Sequence, residues 1–399
     1  MNKGWEIKKL GECVEIVMGQ APSSKDCNFN NKGVPFVKVG EFGLLRPEIK
    51  EWTTNPLKMA NRKDVLLCVV GATCGKINLG EDCAIGRSVA AIRPAESKLN
   101  QIYLYYFMRT LVEKLRKGSL GAAQTVISKE MITSIQIPCP QLIVQQQIVA
   151  ILDEAFAAID AAKANVEKNL KNAREIFESY LSSIFIQRGE NWFDRTLDEV
   201  CIVERGSSPR PIKEYFTTKA DGINWIKIGD TEEGGKYVYS TAQKITADGA
   251  KQSRFVKEGD FILTNSMSFG RPYIMKTSGC IHDGWFVLRL NTSIDTDFFY
   301  YLLSSKFVQS QFTQLASGSV VKNISGDLVK KAVLPTPPLA QQHIIVKNLL
   351  EISAQTKRLE AIYQQKLDNL EELKKSILQK AFAGELTSSE ADNKLRAQA

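Results

Sequence analysis

The feature that most constrains this chain is an internal repeat of domain length. Residues Trp5–Pro22 read W-E-I-K-K-L-G-E-C-V-E-I-V-M-G-Q-A-P, and residues Trp192–Pro209 read W-F-D-R-T-L-D-E-V-C-I-V-E-R-G-S-S-P. Their Trp, Leu, Glu, Gly and Pro positions match at one offset of 187 residues. Solenoid repeats have periods of only about 20–50 residues. The sequence therefore predicts two copies of a whole domain, with two similar surfaces that read two similar objects.

The match continues along both copies. Val34–Glu41 corresponds to Ile223–Asp230, and the Gln-rich segment Gln145–Ile148 corresponds to Gln341–Ile344 at an offset of 196 residues. The segments between the matched motifs differ. Because loops between fixed elements often carry function, this pattern predicts one scaffold with two different reading surfaces.

Composition excludes several classes of protein. The chain of 399 residues can hold two to three domains with real cores. No apolar run approaches the length of a membrane span, and the start lacks the apolar stretch of a signal peptide. Its eight Cys form no C-x-x-C motif, and its two His are too few for a His-rich metal site. The net charge of +8 suits a polyanionic partner without proving one.

Two long helices are predicted after the repeated domains. Mostly apolar residues recur in steps of three and four in two stretches: Phe156, Ile159, Lys163, Val166, Leu170, Ala173, Phe177, Tyr180 and Ile184; then Leu349, Ile352, Thr356, Leu359, Tyr363, Lys366, Leu370, Leu373, Ile377 and Lys380. This spacing is typical of a coiled-coil seam. Equivalent positions in two repeats favour antiparallel pairing under a pseudo-two-fold axis, with the helices acting as a ruler between the domains. The alternative is two separate surface helices, each packed on its own domain.

The repeated domain is predicted to be mixed α/β (α+β) with a curved sheet, because short β-rich runs are separated by Gly, Asn and Asp turns and followed by helices. Catalytic motifs are not evident. The segment Gly71–Ile77 has one residue too few for a phosphate-binding loop and places Ile77 where Ser or Thr must bind magnesium. His282 and His343 alone support no Ser/His/Asp triad. The sequence is that of a binding protein rather than an enzyme.

These motifs together resemble one family, the specificity (DNA-recognition) subunits of type I restriction-modification systems. The resemblance rests on the twin W-x-x-x-x-L-x-E…G-x-x-P openings, on V-K-V-G-E with I-K-I-G-D, and on the P-x-P-x(4,5)-Q-Q starts of the helices. The ending L-K-K-S-I-L-Q-K-A-F-A-G-E-L-T, Leu373–Thr387, is close to the family's usual ending, whereas Ile184–Trp192 departs from it. Nearly the whole chain is covered.

The resemblance implies two target-recognition domains, at 1–140 and 190–338. They would be separated by a central conserved helix at 141–189 and a C-terminal conserved helix at 339–387, followed by a flexible tail at 388–399. Each domain would read one half of an asymmetric DNA site, and the helices would set the unread spacer.

The same resemblance implies partners and a location. Two modification subunits, which hold S-adenosylmethionine, would dock on the helices. Restriction subunits, which use ATP and Mg, would join through them. This chain would itself be non-catalytic, hold no cofactor or metal, contact no membrane, and work in the cytoplasm of a bacterial or archaeal cell.

Candidate DNA contacts follow from the polar loops, because Lys and Arg bind phosphates while side chains at base edges select sequence. In the first domain the candidates are Ser23, Ser24, Lys25, Lys38, Glu41, Thr73, Lys76 and Arg87, with Gln124 in second rank. In the second they are Ser207, Ser208, Arg210, Lys227, Asp230, Asn265, Ser268, Arg271, His282 and Asp283, with Lys322 and Asn323 in second rank. Each could instead be a solvated loop residue or a turn cap. Two other functions stay open at this point, a stand-alone DNA-modifying enzyme and a coiled-coil protein scaffold.

Overall fold

The structure is a computed structural model, and it describes residues 5–71, 73–118, 126–232, 234–265, 270–316 and 325–386. The chain divides into two compact units. Unit 1 comprises 1–167 with 365–399, and unit 2 comprises 168–364. The expected tail at 388–399 lies outside the described residues.

Unit 1 contains the first repeated domain. Its elements in chain order are β1 (Glu6–Lys9), β2 (Val14–Met18), β3 (Cys27–Asn28), β4 (Val34–Val37), β5 (Glu51–Thr53), β6 (Met59–Ala60), β7 (Val65–Cys68), β8 (Ile77–Leu79), β9 (Cys83–Ile85), β10 (Val89–Pro94), α1 (Gln101–Thr110), α2 (Val112–Gly118), α3 (Lys129–Thr133) and β11 (Gln136–Cys139). The strands form three sheets, in the orders β1-β11, β2-β10-β7-β8 and β3-β5-β4-β9-β6. The first long helix, α4 (Leu142–Ile186), follows.

Unit 2 contains the second repeated domain. Its elements are β12 (Phe193–Thr196), α5 (Leu197–Val200), β13 (Cys201–Arg205), β14 (Phe216–Thr217), β15 (Ile223–Ile226), β16 (Tyr237–Val238), β17 (Gln243–Ile245), α6 (Ala247–Lys251), β18 (Arg254–Val256), β19 (Phe261–Thr264), β20 (Pro272–Met275), β21 (Gly279–Ile281), β22 (Trp285–Leu290), α7 (Thr296–Ser304), α8 (Lys306–Ala316), α9 (Gly326–Val329) and β23 (Val333–Thr336). Its sheets have the orders β12-β23, β13-β22-β19-β20-β16 and β14-β17-β15-β21-β18. The second long helix, α10 (Leu339–Ala383), follows.

The predicted repeat of a mixed α/β domain is confirmed strand by strand. In both units the first and last strands pair with each other. The parallel pair β4 with β9 of unit 1 corresponds to β15 with β21 in unit 2, which also has a second parallel pair, β16 with β20. The inner strands β7, β10, β19 and β22 are rich in Val, Ile, Leu and Phe, and their central residues are buried on both faces. Each domain therefore has apolar cores on either side of the sheet that contains these inner strands.

A duplicated ion network stabilises the sheet that contains β7 and β10 in unit 1 and β19 and β22 in unit 2. Arg93 bonds the fully buried carboxylate of Asp64 at 2.9 Å and reaches Glu15 at 3.3 Å. In unit 2, Arg289 bonds the buried Asp260 at 3.2 Å and also pairs with Glu204. A buried carboxylate needs such compensation, because an unpaired buried charge is costly. The network explains why the aspartate is shared by two matching segments of the repeat, K-D-V-L-L at Lys63–Leu67 and G-D-F-I-L at Gly259–Leu263.

A buried glutamine explains the Gln-rich start of each long helix. The Gln145 side chain accepts from the Asn100 N–H at 2.8 Å and donates to the carbonyl of Pro140 at 2.8 Å. Gln342 accepts from the Asp295 N–H at 2.9 Å and donates to Pro337 at 2.8 Å. Gln145 therefore corresponds to Gln342, and the sequence alignment that paired it with Gln341 was wrong by one residue.

The two long helices contact each other within each unit. In unit 1, Lys163 pairs with Glu371 at 2.7 Å, and Asp160 pairs with Lys374 at 2.8 Å, as antiparallel helices require. In unit 2, Arg174 pairs with Glu360 at 3.3 Å. The long helices, 45 residues each, therefore pair as predicted.

The predicted seam is wrong near the end of α10. Lys366, Leu373 and Lys380 are exposed there, and Leu378 and Ala381 are buried instead. A straight α-helix has 3.6 rather than 3.5 residues per turn, so its inward stripe moves forward relative to a strict heptad. Trp5 and Trp192, which open the two repeated motifs, each pack against the apolar core of their own unit.

One helix of the described chain, α4, is long and apolar enough to cross a membrane by length and composition alone. Its most apolar window has a mean hydropathy of 1.5 and is 33% buried. The sequence of this helix contains no unbroken apolar run of membrane-spanning length, because Gln145–Gln147 and Asp153–Glu154 interrupt the apolar residues. Leu152 and Phe156 pack into the core of unit 1, and Tyr106 donates a hydrogen bond to Asp153. Packing within unit 1 therefore accounts for the apolar face of this segment.

Candidate nucleic-acid interface

In each domain, three turns meet at the C-terminal ends of the parallel strand pair, β4 with β9 in unit 1 and β15 with β21 in unit 2. In unit 2 they are the segment after β13, the turn after β15 and the turn between β21 and β22. The Gly206 N–H donates to the backbone carbonyl of Trp285 at 2.8 Å. A Cβ on Gly206 would collide with the carbonyl oxygen of His282. In unit 1, a Cβ on Gly19 would collide with the carbonyl of Gly86. The glycine of the repeated G-x-x-P motif is therefore required by close backbone approach.

The unit 2 turns bring most of the predicted residues together. Ser208 donates to the Asp283 carboxylate at 2.7 Å, and Arg210 lies 3.9 Å from the same carboxylate with 84% of its side chain exposed. The Ser208 hydroxyl is the main cause that lowers the pKa of Asp283. We call Ser207, Ser208, Arg210, Lys227, Asp230, His282 and Asp283 the second polar cluster.

His282 lies at the base of this cluster, between two tryptophans. Its ring centroid is 6.3 Å from those of Trp225 and Trp285, and its Nδ1 accepts from the Gly284 N–H at 2.9 Å. Burial lowers the pKa of His282, opposed by the charge of Asp283 and reinforced by that of Lys227. The imidazole is therefore neutral at neutral pH.

The corresponding residues of unit 1 form the first polar cluster: Ser23, Ser24, Lys25, Lys38, Glu41 and Arg87. Its turns are joined by backbone bonds from Gln20 to Ile85 at 2.9 Å and from Gly86 to Val37 at 2.9 Å. Ser24, Lys25 and Arg87 are exposed to solvent. Lys38 instead forms an ion pair with Glu51.

Two predicted residues cap turns. The Glu41 carboxylate accepts the Lys38 N–H at 2.8 Å. The Asp230 carboxylate accepts the N–H groups of Lys227 at 2.8 Å and Ala242 at 3.0 Å. The spacing shared by V-K-V-G-E and I-K-I-G-D thus has a structural role, since it places the carboxylate where it caps the turn. DNA contact by these carboxylates stays a prediction.

Other candidates lie in different surroundings. The Thr73 hydroxyl lies 3.6 Å from the Cys68 thiol. Arg116 donates a hydrogen bond to the carbonyl of Cys74 in the same turn. Lys76, which follows this turn, is exposed. Asn265 is buried and donates to the carbonyl of Asp283 at 3.4 Å, which joins it to the second polar cluster.

Arg271 lines a cavity of about 620 Å³ within unit 2, together with Tyr273 and Tyr300 from the domain and Phe177 and Thr356 from the long helices. The structure does not bring it into the second polar cluster. Gln124, Ser268, Lys322 and Asn323 lie outside the described residues.

Sequence reasoning missed several residues that shape these clusters. Glu51 pairs with Lys38, Ser88 accepts the Val39 N–H at 3.4 Å, and Ser253 donates to the carbonyl of Ser207 at 2.7 Å. These residues lie outside the matched motifs, so the repeat offered no signal for them. Among the described residues, no group of His, Cys, Asp and Glu is arranged to hold a metal ion.

Comparison with known proteins decides the family. The model of the type I restriction modification DNA specificity domain matches twice, at residues 2–172 and 189–372. The chain belongs to this family. It is 22% identical to the type I restriction enzyme MjaVIII specificity subunit of Methanocaldococcus jannaschii, over 96% of this chain and 93% of that one. It is 21% identical to the EcoBI specificity subunit of Escherichia coli, over 97% and 87%.

Solved structures have the same fold. The HsdS subunit from Thermoanaerobacter tengcongensis superposes with a TM-score of 0.63 at 18% identity, over 96% of this chain and 98% of that one. A chain from work on complex assembly and conformational transition of the type I restriction-modification system superposes with a TM-score of 0.78 at 18% identity, over 96% and 99%. By its family the chain is a specificity subunit, a non-catalytic component, and neither the stand-alone enzyme nor the protein-only scaffold is supported.

The buried His282 predicts a pH dependence of stability. Its folded-state pKa lies below the ordinary value, so the unfolded chain binds more protons as pH falls through about 6.5. The free energy of unfolding of unit 2 should therefore be highest above this pH and decline below it. Denaturant titrations between about pH 5 and 8 measure this effect. His282→Gln should flatten the decline, and the same substitution at the exposed His343 should not. Equal profiles for both variants would contradict this assignment.

Proposed function

We propose that this specificity subunit reads an asymmetric bipartite DNA site, with one half-site for each repeated domain. The observation that supports it most is the duplicated cluster. Equivalent turns meet in both domains, yet they carry different side chains, Ser24 and Lys25 in one and Ser208 and Arg210 in the other. Hydroxyl, ammonium and guanidinium groups are those that proteins use on phosphates and base edges. A shared scaffold with two polar surfaces suits two different half-sites.

The proposed domain limits are 1–140 and 190–338 for the two target-recognition domains. Helical segments at 141–189 and 339–387 would set the unread spacer and dock two modification subunits. Several apolar side chains on the long helices are exposed, namely Ile176, Ile344, Leu350, Ile362 and Leu373. These side chains are candidates for contact with the modification subunits.

The remaining partners follow from the family. The modification subunits would bring S-adenosylmethionine for adenine methylation, and restriction subunits would join through them with ATP and Mg. The complex would act on double-stranded DNA in the cytoplasm.

The test is a genome-wide map of methylated adenine in cells that express the modification subunit with and without this chain. We expect a split, asymmetric motif only when the chain is present. Arg210→Ala should relax one half of that motif, by about 1–3 kcal/mol of discrimination. A heptad added to each long helix should lengthen the unread spacer and leave both halves unchanged.

Three results would contradict the proposal. The first is the absence of any motif that depends on the chain. The second is loss of both halves together in the Arg210→Ala variant, since two independent domains cannot both depend on one side chain. The third is a spacer that ignores the added heptads, which would remove the ruler role alone.

A further inference from the structure

The two polar clusters differ at one position that the strand register makes equivalent. In unit 1, β4 pairs with β5 so that Phe36 lies opposite Glu51. In unit 2, β15 pairs with β17 so that Trp225 lies opposite Gln243. The twin lysines, Lys38 and Lys227, each follow the aromatic residue by two positions and so start on the same face of the strand. A carboxylate in unit 1 and an amide in unit 2 thus occupy equivalent positions on the neighbouring strand.

In unit 1 the carboxylate engages the lysine. The Lys38 ammonium forms an ion pair with Glu51 and lies 5.5 Å from the centroid of the Phe36 ring. The Glu51 side chain is only 11% exposed, whereas that of Lys38 is 44% exposed. The hydrogen bond that the Lys38 ammonium donates to Glu51 is the main cause that raises the pKa of Lys38. A mostly buried carboxylate needs this partner, so the ammonium is held within the protein.

In unit 2 the amide offers no charge. The Gln243 Oε1 is buried and lacks a hydrogen-bond partner within the described part of the chain. The acid nearest in sequence, Asp230, uses its carboxylate on the backbone N–H groups of Lys227 and Ala242. In the ranges that the structure covers, the Lys227 ammonium forms no ion pair. It is therefore available to an external anion.

We propose that Glu51 and Gln243 are positioning residues that decide how the twin lysines are used on DNA. Glu51 withholds Lys38 from the phosphate backbone, and Gln243 leaves Lys227 available to a phosphate. This inference rests on the proposed function, since it takes the polar clusters as the surfaces that meet DNA. It gives the two half-sites different electrostatic contributions from one repeated scaffold.

The salt dependence of binding measures the number of phosphate contacts. Each contact contributes about 0.9 to the slope of the logarithm of the binding constant against the logarithm of salt concentration. For the complex of this chain with its modification subunit, Glu51→Gln should bind its motif duplex more tightly with a slope steeper by about 0.9. Gln243→Glu should bind more weakly with a slope shallower by about 0.9. Damage to the fold could not produce the added contact in Glu51→Gln.

Matched variants control for net charge. Glu113→Gln changes an exposed carboxylate on α2, and Gln187→Glu changes an exposed amide after α4. Both should keep the wild-type slope. A wild-type complex that selects its motif over a scrambled duplex, together with unchanged slopes in Glu51→Gln and Gln243→Glu, would overturn this inference and leave the proposed function standing. A wild-type complex that binds no DNA would overturn both.

Discussion

Gly206→Ala is expected to abolish recognition of one half-site and leave the other intact. The new Cβ would collide with the carbonyl oxygen of His282 and lie 3.1 Å from that of Ile281. Backbone atoms cannot turn aside as a side chain can, so the turn that carries Ser207 and Ser208 must shift. Overpacking of this kind costs about 1–3 kcal/mol, and at the upper end it weakens binding roughly 100-fold.

The second polar cluster contains its own control. Gly229 lies in the turn between Lys227 and Asp230, and a Cβ there would meet nothing within 4 Å. Gly229→Ala should therefore leave the methylated motif unchanged, and Gly206→Ala should erase its second half. The same contrast applies to Gly19 and Gly40 in unit 1. If Gly206→Ala and Gly229→Ala gave the same motif, the close approach of these turns would not be needed for recognition.

Gln145→Leu is expected to destabilise unit 1 by about 3 kcal/mol, whereas Gln146→Leu should have almost no effect. Gln145 is fully buried and bonds the Asn100 N–H and the carbonyls of Lys98 and Pro140. Leucine removes all three bonds and leaves buried polar groups without partners, at about 1–3 kcal/mol each before relaxation. Gln146 is exposed, so its replacement leaves no buried polar group without a partner.

Chemical denaturation of the purified chain, followed with a spectroscopic probe confined to unit 1, measures the free energy of unfolding of both variants. Because Gln342 occupies the same place in unit 2, Gln342→Leu should destabilise that unit similarly. Equal effects of Gln145→Leu and Gln146→Leu would show that the buried amide does not hold the domain to its helix.

Much of the architecture could be predicted because it recurs within one chain. The matched W-x-x-x-x-L-x-E, V-K-V-G-E and Gln-rich motifs compare two copies of the same domain, so each copy supports the interpretation of the other. Strand and helix periodicity is likewise a local property, which neighbouring residues determine. Predictions were less accurate where a residue's position depends on contacts with residues far away in the chain. The alignment of Gln145 with Gln341 was off by one residue, and the buried stripe of α10 departed from strict heptads near Leu373.

The sequence by itself determined the duplicated α/β domain, the two long helices and the family. Only the tertiary structure decided which polar side chains meet. Glu51 and Gln243 lie outside the repeated motifs, and strand register alone places them opposite Phe36 and Trp225, two residues before Lys38 and Lys227. Arg271 resembles a DNA contact in sequence, yet it lines a cavity against the long helices. Register and side-chain direction depend on pairing between residues far apart in the chain, and a local pattern does not encode that pairing.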